Sequence, residues 1–180
     1  MTAKQIRNSL TDDNNRLSFD LLQKVWREWS TKNFGPSFQP VHGMPYRPLL
    51  GIFEEIGEFQ YALYELIIGS SNGFTEFLGG RKVEDDNEKV FHAHQARDAV
   101  GDTIMFIVDY CNGRNWLIGD ILELDKLKQH EVIIPWSVGL TIWSGCLAHC
   151  HLKQEQGIRV NENHEENAKI CIGMLIRHLM

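Results

Sequence analysis

The sequence has no apolar run approaching the roughly 20 residues that a membrane-spanning helix requires. Its opening stretch, Met1 to Asn15, is polar and has no h-region of the kind that directs secretion. A cytoplasmic protein with no membrane partner is therefore expected. Basic residues are too few and too scattered to form a phosphate-binding stripe, and the net charge is -6, which excludes polymeric nucleic acid as a natural partner. Cysteine is sparse: Cys111, Cys146, Cys150 and Cys171 contain no CxxC pair, so they read as reduced thiols and no disulfide is assigned. The alternation of apolar and polar residues that marks half-buried strands is also scarce, which argues against a sheet.

What remains is helical periodicity in a chain whose 180 residues, 43% of them hydrophobic, suffice for one packed core. Ser18 is a suitable N-cap for a helix ending near Lys32, with Phe19, Leu22, Trp26 and Trp29 on one face. Gly35, Pro36, Pro40, Gly43 and Pro45 punctuate the following loop. Further helices are predicted over about 47–68, 92–111, 118–129, 136–154 and 165–179. Between the second and third, a Gly- and Ser-rich stretch over 69–80 and a charged run over 81–89 read as a long connection. The expectation is a single all-α domain over 1–180.

Two of these helices carry the acids. Glu54, Glu55 and Glu58 fall within an arc of about 100° on one helix, opposite Leu49, Phe53, Ile56 and Phe59, and can converge on a shared cation. Asp98, Asp102 and Asp109 fall within about 40° on the next, whose remaining circumference is almost wholly apolar, so that helix is expected to be buried. Aspartates there need a counter-charge, because a desolvated carboxylate costs several kcal/mol. Hard oxygen ligands from two helices suit Mg²⁺, with Mn²⁺ as the alternative.

The segment Phe53-Glu54-Glu55-Ile56-Gly57-Glu58-Phe59, followed by Asp98-Ala99-Val100-Gly101-Asp102, resembles the E-E-x-x-E and E-x-x-D motifs of the MazG-like all-α nucleoside triphosphate pyrophosphatases, relatives of the dimeric dUTPases. Trp26-x-x-Trp29 with Asn33-Phe34-Gly35, and Pro48-Leu49-Leu50-Gly51 leading into the acidic helix, are similar to members of that superfamily too, so the resemblance covers most of 20–112. It implies a Mg²⁺-dependent hydrolase that cleaves a nucleoside triphosphate between the α and β phosphates. It also implies Glu55, Glu58 and Asp102 as metal ligands, with Glu54 a further ligand or the group that orients the attacking water. The first acid of E-x-x-D falls on Ala99, so Asp98 stands in for it. Substrate-binding candidates are Trp29, Asn33 and Phe34 for the base, Lys82, Lys89 and Arg97 for phosphate oxygens, and Asp109. The long connection before Asp98 becomes a candidate lid, and homodimerisation stays open, as does the choice of base.

The last two helices read as a worn repeat. Ile56-Gly57-Glu58 matches Leu147-Ala148-His149, and Val100-Gly101-Asp102 matches Ile172-Gly173-Met174, which sets Glu55 against Cys146, Glu58 against His149, Asp98 against Ile170 and Asp102 against Met174. This predicts a MazG-like four-helix bundle from a degenerate duplication, with an active half over 18–112 and a degenerate half over 136–180. The rival functions are a non-catalytic nucleotide-binding or interaction bundle and a ferritin-like di-metal carboxylate protein. The latter needs Glu-x-x-His pairs, which neither acidic helix offers.

Overall fold

A computed structural model describes residues 18–34, 46–67, 86–124, 135–159 and 161–180. Among them all regular structure is helical: α1 (Phe19–Phe34), α2 (Tyr46–Ile67), α3 (Asp86–Arg114), α4 (Ile118–Leu122), α5 (Trp136–Gln156) and α6 (His164–Leu179). No described helix is long and apolar enough to cross a membrane. The loop at 35–45, the connection at 68–85 and the stretch 125–134 lie outside the described residues, and with them the candidate lid, Lys82 and most of the predicted second half of α4.

The long helix α3 differs from its prediction at both ends. It begins at Asp86 rather than His92. It also runs through Asn112-Gly113 and stops at Asn115, which takes a left-handed φ of 55°. Trp116 N–H then donates to the Cys111 carbonyl at 2.9 Å and Asn115 N–H to that of Asn112 at 3.2 Å, a Schellman closure. α5 ends in the same way at Gly157, with φ of 62°. At the start of α6, the Asn163 side chain accepts from Glu166 N–H at 3.1 Å and so caps an otherwise unpaired donor.

α2 packs along α3 and α5 along α6, and the two pairs meet through α2 against α5 and α3 against α6. Ile52, Ile107, Tyr110, Leu140, Leu147, Ile172 and Leu175 form the centre of the core and are completely buried. In each pair a glycine admits a ring from the partner helix. A Cβ at Gly51 would run into Phe106, and one at Gly139 into the imidazole of His178. Burial follows this correspondence along the helices: Ile52 and Leu140, Ile56 and Ser144, Phe59 and Leu147, and Ala62 and Cys150 are buried, while Gly57 and Gly145, and Glu58 and Cys146, are exposed.

α1 lies across α3 and α4, held by the buried side chain of Gln23. Its amide donates to the Trp116 carbonyl at 2.9 Å, and its oxygen accepts from Ile118 N–H at 2.8 Å. This crossing corrects the expected burial of α3. Asp109 is 4% exposed, whereas Asp98 and Asp102 face solvent.

Candidate functional site

Glu54, Glu55 and Glu58 rise from the middle of α2 because its apolar stripe of Ile52, Ile56 and Phe59 turns toward the core. Glu54 and Glu58 are exposed and Glu55 is half-buried. From α3, Asp98 and Asp102 approach the same place. The Glu55 carboxyl is pushed up to about 7, first by its partial burial and then by repulsion from Asp102, Glu58, Glu54 and Asp98. The five acids from two helices thus share one electrostatic environment. Asp102, although exposed as a residue, is raised as well, by desolvation of its carboxyl and by Asp98 one turn earlier.

No three His, Cys, Asp or Glu side chains among the described residues already stand close enough together to hold a metal ion. The chemistry of the donor set nevertheless fits a hard divalent cation: every donor is a carboxylate oxygen, and their mutual repulsion is what a cation relieves. Glu54, Glu58, Asp98 and Asp102 are exposed, so these side chains can change rotamer without disturbing the core.

A cleft of about 520 Å³, within the usual range for a small-molecule site, opens beside these acids. Glu54, Glu55 and Asp102 line it together with Trp26, Trp29, Leu50, Gly51, Met105, Phe106, Asp109 and Arg47. Trp26 and Trp29 stack on each other with ring centroids 4.6 Å apart. Asp109 is pushed up to about 6 by burial, an effect partly offset by the indole N–H of Trp26 and the hydroxyl of Ser30. The Trp26 Nε1 atom is itself buried without a completed hydrogen bond.

The structure therefore brings Glu54, Glu55, Asp102, Trp29 and Asp109 to one cleft, with Glu58 and Asp98 flanking its acidic wall. Asn33 is not among the described lining residues, and its amide donates back to the Trp29 carbonyl at 2.8 Å. Lys89 and Arg97 are exposed on α3 and are also outside the described lining. Phe34 closes α1, but its side chain lies outside the described residues. Sequence reasoning did not name Arg47, Leu50, Gly51, Met105 and Phe106 as site residues, nor Trp26 among the base-binding candidates; Trp26 is half-buried, packed against the core and at the same time part of the cleft wall. The available signal was helical spacing: Asp102, Met105, Phe106 and Asp109 lie at i, i+3, i+4 and i+7.

No family model, curated protein or solved structure matches the chain.

Proposed function

We propose that the chain is a Mg²⁺-dependent nucleoside triphosphate pyrophosphohydrolase, releasing the nucleoside monophosphate and pyrophosphate. The observation that carries this reading is a single cleft with a carboxylate wall, drawn from α2 and α3, next to an aromatic wall containing Trp26 and Trp29. A charged phosphate chain and a flat base call for those two surfaces side by side.

In this reading Glu55, Glu58 and Asp102, with Asp98 and Glu54, hold the cation, which supplies charge neutralisation and Lewis acidity toward the phosphate oxygens. Glu55 is where proton and cation would compete: partial burial, and after it repulsion from the neighbouring acids, push its carboxyl up to about 7, and a divalent ion held there would displace that proton. Glu54, exposed at the cleft, orients the attacking water. Arg47 is the basic side chain among the described residues of the cleft lining and faces the phosphate chain, while Lys89 and Arg97 stand outside that lining. The stacked Trp26 and Trp29 rings offer an outer face on which the base packs.

The fold reading that accompanies this function is a MazG-like bundle of two related hairpins. Its support is the paired glycine contacts, Gly51 with Phe106 and Gly139 with His178, together with the shared burial pattern. These set Gly51 against Gly139 and so move the first-helix register by three residues from the sequence match: Glu55 falls on Trp143 and Glu58 on Cys146, while Asp98 and Asp102 keep Ile170 and Met174. None of the five acids has an acidic counterpart, since Glu54 falls on Ile142, so one working site per chain follows.

The test is pyrophosphate release from a panel of nucleoside triphosphates, with and without Mg²⁺. Wild-type protein should release it only with the metal, and Glu55→Gln should lower the rate by about 100-fold or more while remaining folded. The absence of metal-dependent release from every nucleotide would favour the non-catalytic binding bundle, whose own support is that the described acids are not preassembled around a point.

A further inference from the structure

Asp109 is a carboxylate for which cation binding gives no explanation. It stands two turns beyond Asp102 on the same face of α3, about 10 Å further along the helix, roughly the reach from the α-phosphate of a nucleotide to the far edge of its base. It is 4% exposed and yet lines the cleft, between Trp26 and Ser30 of α1 and beside Met105 and Phe106 of its own helix. The polar groups of α1 that face it are neutral: the Trp26 indole N–H, which completes no hydrogen bond, and the Ser30 hydroxyl, which donates to the Arg27 carbonyl at 3.4 Å. A buried hydrogen-bond acceptor of this kind, at the aromatic end of the cleft, suits a ligand that brings N–H groups of its own.

We propose that Asp109 is a specificity-determining residue that accepts a hydrogen bond from the exocyclic amino group of the nucleobase, so that the cleft selects amino-bearing bases over uracil- and thymine-type bases. This rests on the nucleotide reading of the cleft. A uracil-type edge sets carbonyl oxygens at the positions where an amino-bearing base offers a donor. Against Asp109 those oxygens meet another acceptor, leaving two desolvated acceptors facing each other. A site built to bond a substrate N–H rejects the analogue lacking it more strongly than an apolar pocket rejects a missing methyl. The competing role for Asp109 is to anchor α1 to α3 through Trp26 and Ser30, which makes it a positioning residue and affects all bases alike.

The experiment measures binding of cytidine triphosphate and uridine triphosphate to the full chain in Mg²⁺, read from the fluorescence of the cleft tryptophans, with kcat/KM for each nucleotide alongside. Wild-type protein should prefer the cytidine nucleotide by about tenfold or more. Asp109→Asn, which presents an amide N–H₂ where a carboxylate stood, should abolish or reverse that ratio. N4,N4-dimethylcytidine triphosphate has no exocyclic N–H and should bind to wild-type protein as weakly as the uridine nucleotide; this holds whether or not the variant folds. Equal binding of cytidine and uridine nucleotides by wild-type protein overturns the proposal, as does undiminished binding of the dimethyl compound. An equal weakening of both nucleotides in Asp109→Asn, with the ratio kept, assigns Asp109 to anchoring alone and overturns it too. Preference in binding without pyrophosphate release would retire the hydrolase reading and leave this one standing, while a failure of every nucleotide to bind would overturn both.

Discussion

Glu55 has an ordinary side chain in a setting that opposes its charge. An unperturbed glutamate titrates at 4.5, whereas Glu55 in the folded protein titrates at about 7. Below pH 4.5 both folded and unfolded chains carry the proton and the group is neutral toward stability. Between the two values the folded state keeps a proton that the unfolded chain has released, so the contribution of Glu55 to stability falls as pH rises, and above about 7 its full penalty is present. Glu55→Gln removes the penalty. In chelator-containing buffer the variant should melt with wild type at about pH 4 and above it at about pH 8. Melting curves that stay parallel across that range would mean that the burial of Glu55 and its repulsion from Asp102 and Glu58 do not exist in solution.

At the scale of the helix, glycine marks close approach. Alanine is the better helix former by about 1 kcal/mol, but a Cβ at Gly139 meets the buried ring of His178, and overpacking of that kind costs about 1–3 kcal/mol. Gly139→Ala should lower stability by a net amount of up to about 2 kcal/mol and leave turnover of the folded protein unchanged, since Gly139 is far from the acids in sequence and outside the described cleft lining. Gly51→Ala should do both kinds of harm, because the ring it displaces, Phe106, is part of the cleft wall. Calorimetry paired with steady-state rates separates the two; a rise in melting temperature for Gly139→Ala would show that His178 moves aside freely. These contacts were invisible in the sequence, which shows spacing along one helix but not which glycine on another receives the ring. The helices themselves were legible, as were the acids of α2 and α3, because 3.6-residue periodicity places Glu54, Glu55 and Glu58 on one face and Asp98, Asp102 and Asp109 on another. The exposure of Asp98 and Asp102 was not legible, since it depends on where α1 crosses α3. The same crossing turns Trp26 into a cleft wall and buries Asp109, and it is fixed by Gln23 reaching Trp116 and Ile118, about ninety positions away in the chain.

For the whole molecule, a net charge of -6 and a crowded acidic wall make stability depend on counter-ions. Monovalent salt only screens, and it does so well for exposed groups such as Glu54, Glu58, Asp98 and Asp102, because the Debye length near physiological ionic strength is about 8 Å. A divalent ion held between α2 and α3 acts differently, since it binds the folded arrangement and has no equivalent site in the unfolded chain. At a free concentration 100 times its dissociation constant it stabilises by about 2.7 kcal/mol. For a chain of this size that is a rise in melting temperature of roughly 5–10 °C. Mg²⁺ should therefore raise the melting temperature well beyond NaCl of equal ionic strength, and Glu58→Gln combined with Asp102→Asn should reduce the Mg²⁺ effect to that of NaCl. Because Glu58 comes from α2 and Asp102 from α3, loss of the effect in either single variant as well as in the pair identifies an ion shared between the helices. An Mg²⁺ shift no larger than the NaCl shift in wild-type protein would mean that these acids are only a solvated face, and the cation-dependent chemistry would have no place to occur.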